Sequence, residues 1–319
     1  MPNNELLNIF LSHQNKWISG NSLAEKLSIS RTMVWKRINA LKEAGHQIER
    51  KHNRGYRYIG TTKLSAAAIQ HQCAPVQVMV FEQIDSTNKY AKEIINRHQI
   101  SEPFAIIANH QTDGYGRRGR SFYSPADSGL YLTIAVPVNH DSTINPGLLT
   151  TTTAVAVVKA LKKSYPTVAF QLKWINDIWV DNQKVGGIMT ESIMDVELMQ
   201  PSVIIVGIGI NLTTSHFPVN IDQPVAAIST NPIDRNQIAV DIINQFMASY
   251  PKYQTGFEMD NYRKLSVVIG KQVTVSTRTN PLIGTVENIA DNGALVLRTA
   301  DGTIHHVMTG EVTKVRINQ

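Results

Sequence analysis

Cysteine is almost missing: Cys73 stands alone in 319 residues. An intramolecular disulfide is excluded, and so is any metal site built from several thiolates. No Cys-His or Ser-His pattern suggests a protein nucleophile. The opening Met1-Pro-Asn-Asn-Glu5 lacks the basic and apolar regions of a secretion signal, and no apolar run approaches the roughly twenty residues that span a bilayer. No membrane attachment is therefore expected, and the cytoplasm is the expected compartment. What is present in quantity is ordinary apolar residue, 42% of the chain against 18% charged, enough for a substantial core and for two or three domains.

Net charge is also missing from most of the chain. Ten Lys or Arg and four Asp or Glu fall within residues 1–60, and the remainder carries 21 of each sign, so the whole excess of +6 sits at the N-terminus. Such segregation points to a polyanionic partner for that segment. Its pattern agrees. Leu6, Leu7, Ile9 and Phe10 give one apolar side to a first helix. Ser22-Leu-Ala-Glu25 reads as a capping box opening a second, and Ser30 caps a third in which Val34, Ile38 and Leu41 recur until Gly45 stops it. Two short helices, a tight turn and a longer helix have helix-turn-helix spacing. Arg31, Thr32, Lys36, Arg37 and Asn39 avoid the apolar stripe, where they can face a major groove and its phosphates. Two extended runs around Asn53-Arg54-Gly55 complete a wing. A helical domain used only for packing is the alternative, and the charge segregation argues against it.

From about residue 65 strands and helices alternate. Strands are expected at 76–84, 104–109, 128–136, 168–174, 178–180, 185–193 and 203–212, with helices starting at 85–88 and spanning about 145–164. Several successive strands are joined by hairpin turns, so a mixed sheet covered by helices fits better than a doubly wound parallel one. Within this region Asp113-Gly-Tyr-Gly-Arg-Arg-Gly-Arg120 has the G-x-G-x-x-G spacing of a dinucleotide-binding turn, but Pro125 discourages the helix that such a turn must open. What is left is a glycine-rich loop with three arginines. Guanidinium forks and approachable backbone N–H groups suit an acidic small ligand; a solvated basic loop is the plainer alternative. Asp85-Ser-Thr-Asn88, Lys173-Trp-Ile-Asn-Asp177, Lys184-Val-Gly-Gly187 and Gly207-Ile-Gly-Ile-Asn211 also set polar groups among apolar ones. Singly these read as a helix cap, edge-strand lysines, a bulged strand start and close-packing glycines. Together, at the ends of neighbouring strands, they suggest a shared site.

The ordered set Gly114-Tyr-Gly-Arg-Arg-Gly-Arg120, Lys173-Trp-Ile-Asn-Asp177 and Lys184-Val-Gly-Gly187, behind a winged helix-turn-helix, resembles the bifunctional biotin protein ligase and biotin operon repressor of bacteria over essentially the full length. The resemblance implies an α+β multidomain chain. Residues 1–62 would be a winged helix-turn-helix DNA-binding domain and 63–268 a central catalytic domain like the class II aminoacyl-tRNA synthetases. Residues 269–319, where short strands are punctuated by Asn280-Pro281, Asp291-Asn-Gly293, Asp301-Gly302 and Gly310, would be an SH3-like barrel. It further implies that biotin and ATP form biotinyl-5'-adenylate, that a lysine of the biotin carboxyl carrier protein of acetyl-CoA carboxylase then takes the biotin, and that a ligand-promoted homodimer binds operator DNA. Ser86, Thr87, Asn88, Gln111 and Tyr115 would hold the biotin head group, with Gly187 and Gly209 lining its cavity. Arg117 and Lys184 would be the catalytic pair at the carboxylate and α-phosphate. Arg118, Arg120, Phe122, Asn176, Asp177, Asn211 and Glu311 would bind the nucleotide, Asp177 also holding Mg2+; one basic residue of the tail, Lys314 or Arg316, would add a contact, and Arg54 would join the DNA-facing set. The family often has a basic or small residue at the position of Tyr115, proline at that of Ile175 and tryptophan at that of Phe122. A lipoyl or octanoyl ligase and a non-catalytic ligand-sensing repressor are the competing functions.

Overall fold

A computed structural model describes residues 2–73, 75–138, 143–195, 200–219, 221, 223–277 and 280–316. The N-terminal body consists of α1 (Pro2–Ser12), β1 (Trp17–Ile18), α2 (Gly20–Lys26), α3 (Arg31–Glu43), β2 (His46–Lys51) and β3 (Gly55–Thr61). Leu6, Phe10, Leu23, Val34, Ile38, Leu41 and Tyr58 bury its core. The Ser30 hydroxyl accepts the Met33 N–H and caps α3. The capping box expected at Ser22 does not form: Ser19, in extended conformation, accepts the Ser22 N–H and starts α2 three residues earlier. β1, β3 and β2 form an antiparallel wing. Only glycine fits at 55, where φ is +95° and a Cβ would lie 2.1 Å from the Ile18 carbonyl oxygen.

The central body adds α4 (Ala66–Gln70), β4 (Gln77–Ile84), α5 (Thr87–Arg97), β5 (Phe104–Gln111), β6 (Gly129–Pro137), α6 (Pro146–Ser164), β7 (Gln171–Lys173), β8 (Asp177–Val180), β9 (Gln183–Asp195), β10 (Gln200–Asn211), α7 (Arg235–Ser249) and α8 (Met259–Leu265). Seven strands run in the order β4-β5-β6-β10-β9-β8-β7. Only the β4–β5 pair is parallel, so the sheet is mixed, as the hairpin turns suggest. The strand expected over 168–174 shrinks to three residues, because the Val168 N–H turns back to the Tyr165 carbonyl after Pro166 and the Phe170 N–H to that of Val168.

Alternation along β10 positions the site. Ile204, Val206, Ile208 and Ile210 face the large core with α6 and α7. Val203 and Ile205 face the other way, toward α5. The next residues with that side-chain direction are Gly207, Gly209 and Asn211, so this face loses its bulk toward the end of the strand. Space opens there. The C-terminal body is an antiparallel sheet of β11 (Gln272–Ser276), β12 (Leu282–Ile289), β13 (Leu295–Thr299), β14 (Ile304–Val307) and β15 (Glu311–Arg316), in the order β14-β13-β12-β11-β15. It is tied to the centre by the Trp174 indole N–H on the Gly293 carbonyl at 3.0 Å.

Candidate active site

The space beside β10 is a cavity of about 680 Å3. One end is neutral and polar. Ser86, Thr87 and Asn88, all buried, begin α5 there. Ser86 occupies the N-cap position, yet its side chain makes no capping bond, so a helix cap does not account for it. The Thr87 N–H and hydroxyl both donate to Gln111 Oε1, at 2.8 and 3.1 Å, and Gln111 Nε2 donates to Ser124 Oγ. Asn88 Oδ1 accepts from the Thr133 hydroxyl, and the amide fills the room left by Gly207, where a Cβ would lie 2.5 Å from that same oxygen.

The arginine loop is a hairpin, not a helix start. The Gly116 N–H donates to the Arg120 carbonyl and the Phe122 N–H to the Gly114 carbonyl, both at 2.8 Å, around a 3-10 turn at Arg117–Gly119. The dinucleotide-turn reading is thereby excluded. Arg117 Nη1 donates to Asn176 Oδ1 at 3.1 Å. Burial pulls its pKa down, while the charges of Asp177 and Glu311 oppose that shift. Arg118 donates to the hydroxyl and carbonyl of Ser276, and Arg120 pairs with Glu311.

Across the cavity, the β7–β8 hairpin presents Lys173, Asn176 and Asp177. Lys184 Nζ lies 2.8 Å from Asp177 Oδ1, and the Asn176 side-chain amide donates a hydrogen bond to the Ile188 carbonyl. Arg117, Arg118, Arg120, Lys173 and Lys184 thus meet only Asp177 and Glu311 among the charged lining residues. The excess of three positive charges in a partly dry site favours a polyanion. Gly187 packs 3.3 Å from Lys184 by its absent Cβ, and Gly209 leaves room for the ring of Phe122. Asn211 is buried with Oδ1 unpartnered, its amide donating to the Ala226 carbonyl.

Residues 80–211 match the model of the biotin/lipoate A/B protein ligase family, 3–57 an HTH domain and 268–315 the biotin protein ligase C terminal domain. The bifunctional ligase/repressor BirA of Bacillus subtilis is 28% identical over 93% of this chain and 94% of its own length; that of Escherichia coli is 28% identical over 96% and 95%. Over more than nine tenths of its length the chain is thus similar to bifunctional ligase/repressors. In fold it is similar to the biotin protein ligase from Aquifex aeolicus in complex with biotin and ATP, with a TM-score of 0.63 at 23% identity, covering 76% of this chain and 99% of that one.

The residues from Ser86 to Glu311 that the family resemblance assigns to biotin or nucleotide all line this cavity. The side chains of Lys314 and Arg316 lie outside the described residues. In the sequence Lys173 has a place in the shared-site motif but no role of its own, with an edge-strand lysine as the plainer alternative. It does lie on the edge strand, but it is buried, with Nζ 4.9 Å from the Trp179 ring centre and its pKa lowered by burial. Its place in one five-residue run with Asn176 and Asp177 is the available signal. Tyr131 and Phe217 also line the cavity without any local motif to announce them. In the N-terminal body Arg31, Thr32, Lys36 and Arg54 are exposed and Asn39 is half-buried. Arg37, whose position on α3 borders the buried stripe, is half-buried with Nη1 3.9 Å from Glu5 of α1.

Proposed function

We propose that this chain joins biotin to ATP, giving biotinyl-5'-adenylate and pyrophosphate, transfers the biotin to a lysine of a biotin carboxyl carrier protein, and with the adenylate bound represses transcription through its N-terminal body. The observation that carries this reading is the two-ended cavity: neutral hydrogen-bonding groups at Ser86, Thr87, Asn88 and Gln111, and a cluster of cations at the other end. An uncharged polar head with an apolar stem ending in a carboxylate fits such a shape, with a triphosphate beyond it. A biotin carboxylate oxygen attacks the α-phosphorus, the bond to the β-phosphate breaks, and pyrophosphate leaves. Two anions must meet for that step. Arg117 and Lys184 offset their repulsion and stabilise the charge gathering on the phosphoryl oxygens, while Arg118 and Arg120 exchange Ser276 and Glu311 for the outer phosphates. The carrier amine then attacks the acyl carbon, AMP departs and the amine loses a proton.

Among the described residues no three His, Cys, Asp or Glu side chains gather to hold a metal. Asp177 offers one carboxylate that would hold Mg2+ arriving with the triphosphate, and the ion would supply charge neutralisation there. No helix of the described residues is long and apolar enough to cross a membrane; ATP, carrier and operator would meet this protein in the cytoplasm. Incubation of the protein with labelled biotin or lipoate, ATP and Mg2+ tests the reading. Biotinyl adenylate is expected; an adenylate formed with lipoate alone overturns it.

The same reading includes a homodimer promoted by the adenylate through the central sheet, which would let two wings occupy an inverted repeat. By linkage, operator DNA must then tighten adenylate binding by the factor by which the adenylate tightens operator binding. Sedimentation should show stronger self-association with adenylate than without; identical behaviour removes the dimer from the scheme.

A further inference from the structure

Helix α5 does more than line the cavity with its first turn. Two lysines one turn apart, Lys89 and Lys92, project toward the base of the arginine hairpin. Lys89 pairs with Asp113, the residue before the hairpin, and lies 3.8 Å from Asp85. Lys92 Nζ is 2.7 Å from Glu191 Oε1 and donates to the Tyr115 hydroxyl at 3.1 Å. That hydroxyl donates in turn toward Glu191 Oε2 at 3.4 Å, an oxygen that also accepts from the Asn88 amide. The two lysine heads stand 6.0 and 5.6 Å from the Tyr115 ring centre, that of Lys92 at the hydroxyl end of the ring. On the far side of the hairpin, Arg118 and Arg120 hold the C-terminal sheet through Ser276 and Glu311. The phosphate groups of a nucleotide compete for those two arginines. The Tyr115 contact is unlike them: its partners lie outside the set that would meet a phosphate, so it persists while the other side exchanges.

We propose that Tyr115 is a positioning residue, clasped by Lys92 and Glu191, that keeps the base of the arginine hairpin fixed over the neutral end of the cavity while the arginines change partners. Asn88 touches both Glu191 and the cavity, so the clasp connects the ligand-lining turn of α5 with the hairpin in one hydrogen-bonded group. Its consequence for chemistry rests on the function proposed above: a hairpin anchored at its base keeps an acyl adenylate enclosed until the acceptor amine arrives, and a loosened one lets it escape to water and to stray lysines.

Hydrogen exchange of the full chain without ligand tests the clasp independently of that function. In Tyr115→Phe and in Lys92→Met, the Gly116 and Phe122 amides, which close the hairpin, should exchange about tenfold faster than in the native chain, the worth of a hydrogen bond involving a charged group. The two substitutions break one clasp, so the double variant should exchange no faster than the product of the single effects and short of it. Rates within twofold of native in both variants, at unchanged melting temperature, overturn the proposal. So does an effect in Tyr115→Phe alone, since the hydroxyl would then act without Lys92. Should either variant fail to fold, Glu191→Gln, which keeps the shape and removes the charge, is measured in its place against the same thresholds. With biotin, ATP and a bystander protein added, the ratio of stray labelling to adenylate formed should rise in the same variants. A native chain that forms no adenylate defeats the proposed function and leaves the exchange result to decide the clasp.

Discussion

At Arg117 two effects oppose each other, and the balance sets what the residue can do. Burial disfavours its charge, yet the guanidinium stays protonated because its ordinary pKa lies far above neutrality. A charge held in a partly dry site, already oriented by Asn176, has little reorganisation left to perform when phosphoryl charge develops. Arg117→Ala should therefore slow adenylate formation by about 3 kcal/mol, a hundredfold or more, as loss of an oxyanion-type donor does. Lys184→Ala should slow the same step, and it also strips Asp177 of its partner 2.8 Å away. Single-turnover rates of pyrophosphate release read both; native rates in both variants would remove the catalytic assignment. The arginines were legible because three guanidinium groups between glycines have few structural uses. Lys173 was not, since a lysine on a short edge strand has an ordinary explanation, and its burial arises from Trp179 and the neighbouring bodies rather than from anything in its own segment.

Among the elements, those with a period of their own were readable and those defined by a boundary were not. Helix α6, buried on nearly all sides, and β10, with its long apolar run, appear where the pattern puts them. The start of α2 moved because two serines three residues apart can each cap, and only the path from β1 chooses Ser19. The wing gives a prediction at this scale. His46 opens β2, is buried, and shares a hydrogen bond with the Tyr58 hydroxyl at 3.0 Å. Burial lowers its pKa below the usual 6.5. The unfolded chain therefore binds the proton more readily than the folded one, so the contribution of neutral His46 is complete above pH 6.5 and is lost as pH falls from there through the depressed folded value. Thermal melts of the N-terminal body should fall over that window, and His46→Gln should flatten the fall. A melt that is level from pH 7 to pH 5 in the native chain would refute it.

For the whole molecule, the question is how a charge confined to one end reaches a ligand held in the middle. The bodies are not loosely strung. Helix α4 is shared: Ala68 packs in the N-terminal core, while its neighbour Ile69 packs in the central one. Asn236, in the first turn of α7, donates to the Lys63 carbonyl and accepts the Ser65 N–H, clamping the connecting segment. Beside it Arg235 donates to Asn109 Oδ1 and the Gly129 carbonyl, and Gly129 is the register partner of Asn211 in the cavity wall. Rigid docking has an electrostatic consequence. Beyond residue 60 the chain is neutral in sum, so on the proposed function attraction to DNA would rest on the N-terminal body, with the exposed Arg31, Lys36 and Arg54 as its contacts. Operator binding should fall steeply as salt rises, and removal of residues 1–62 should abolish it. Lys36→Ala should reduce the slope of log K against log salt by about 0.9 if Lys36 meets a phosphate. A slope unchanged in that variant, with affinity lost for the operator alone, would instead place Lys36 on a base edge, because a contact that reads sequence weakens the specific site without releasing one counterion fewer.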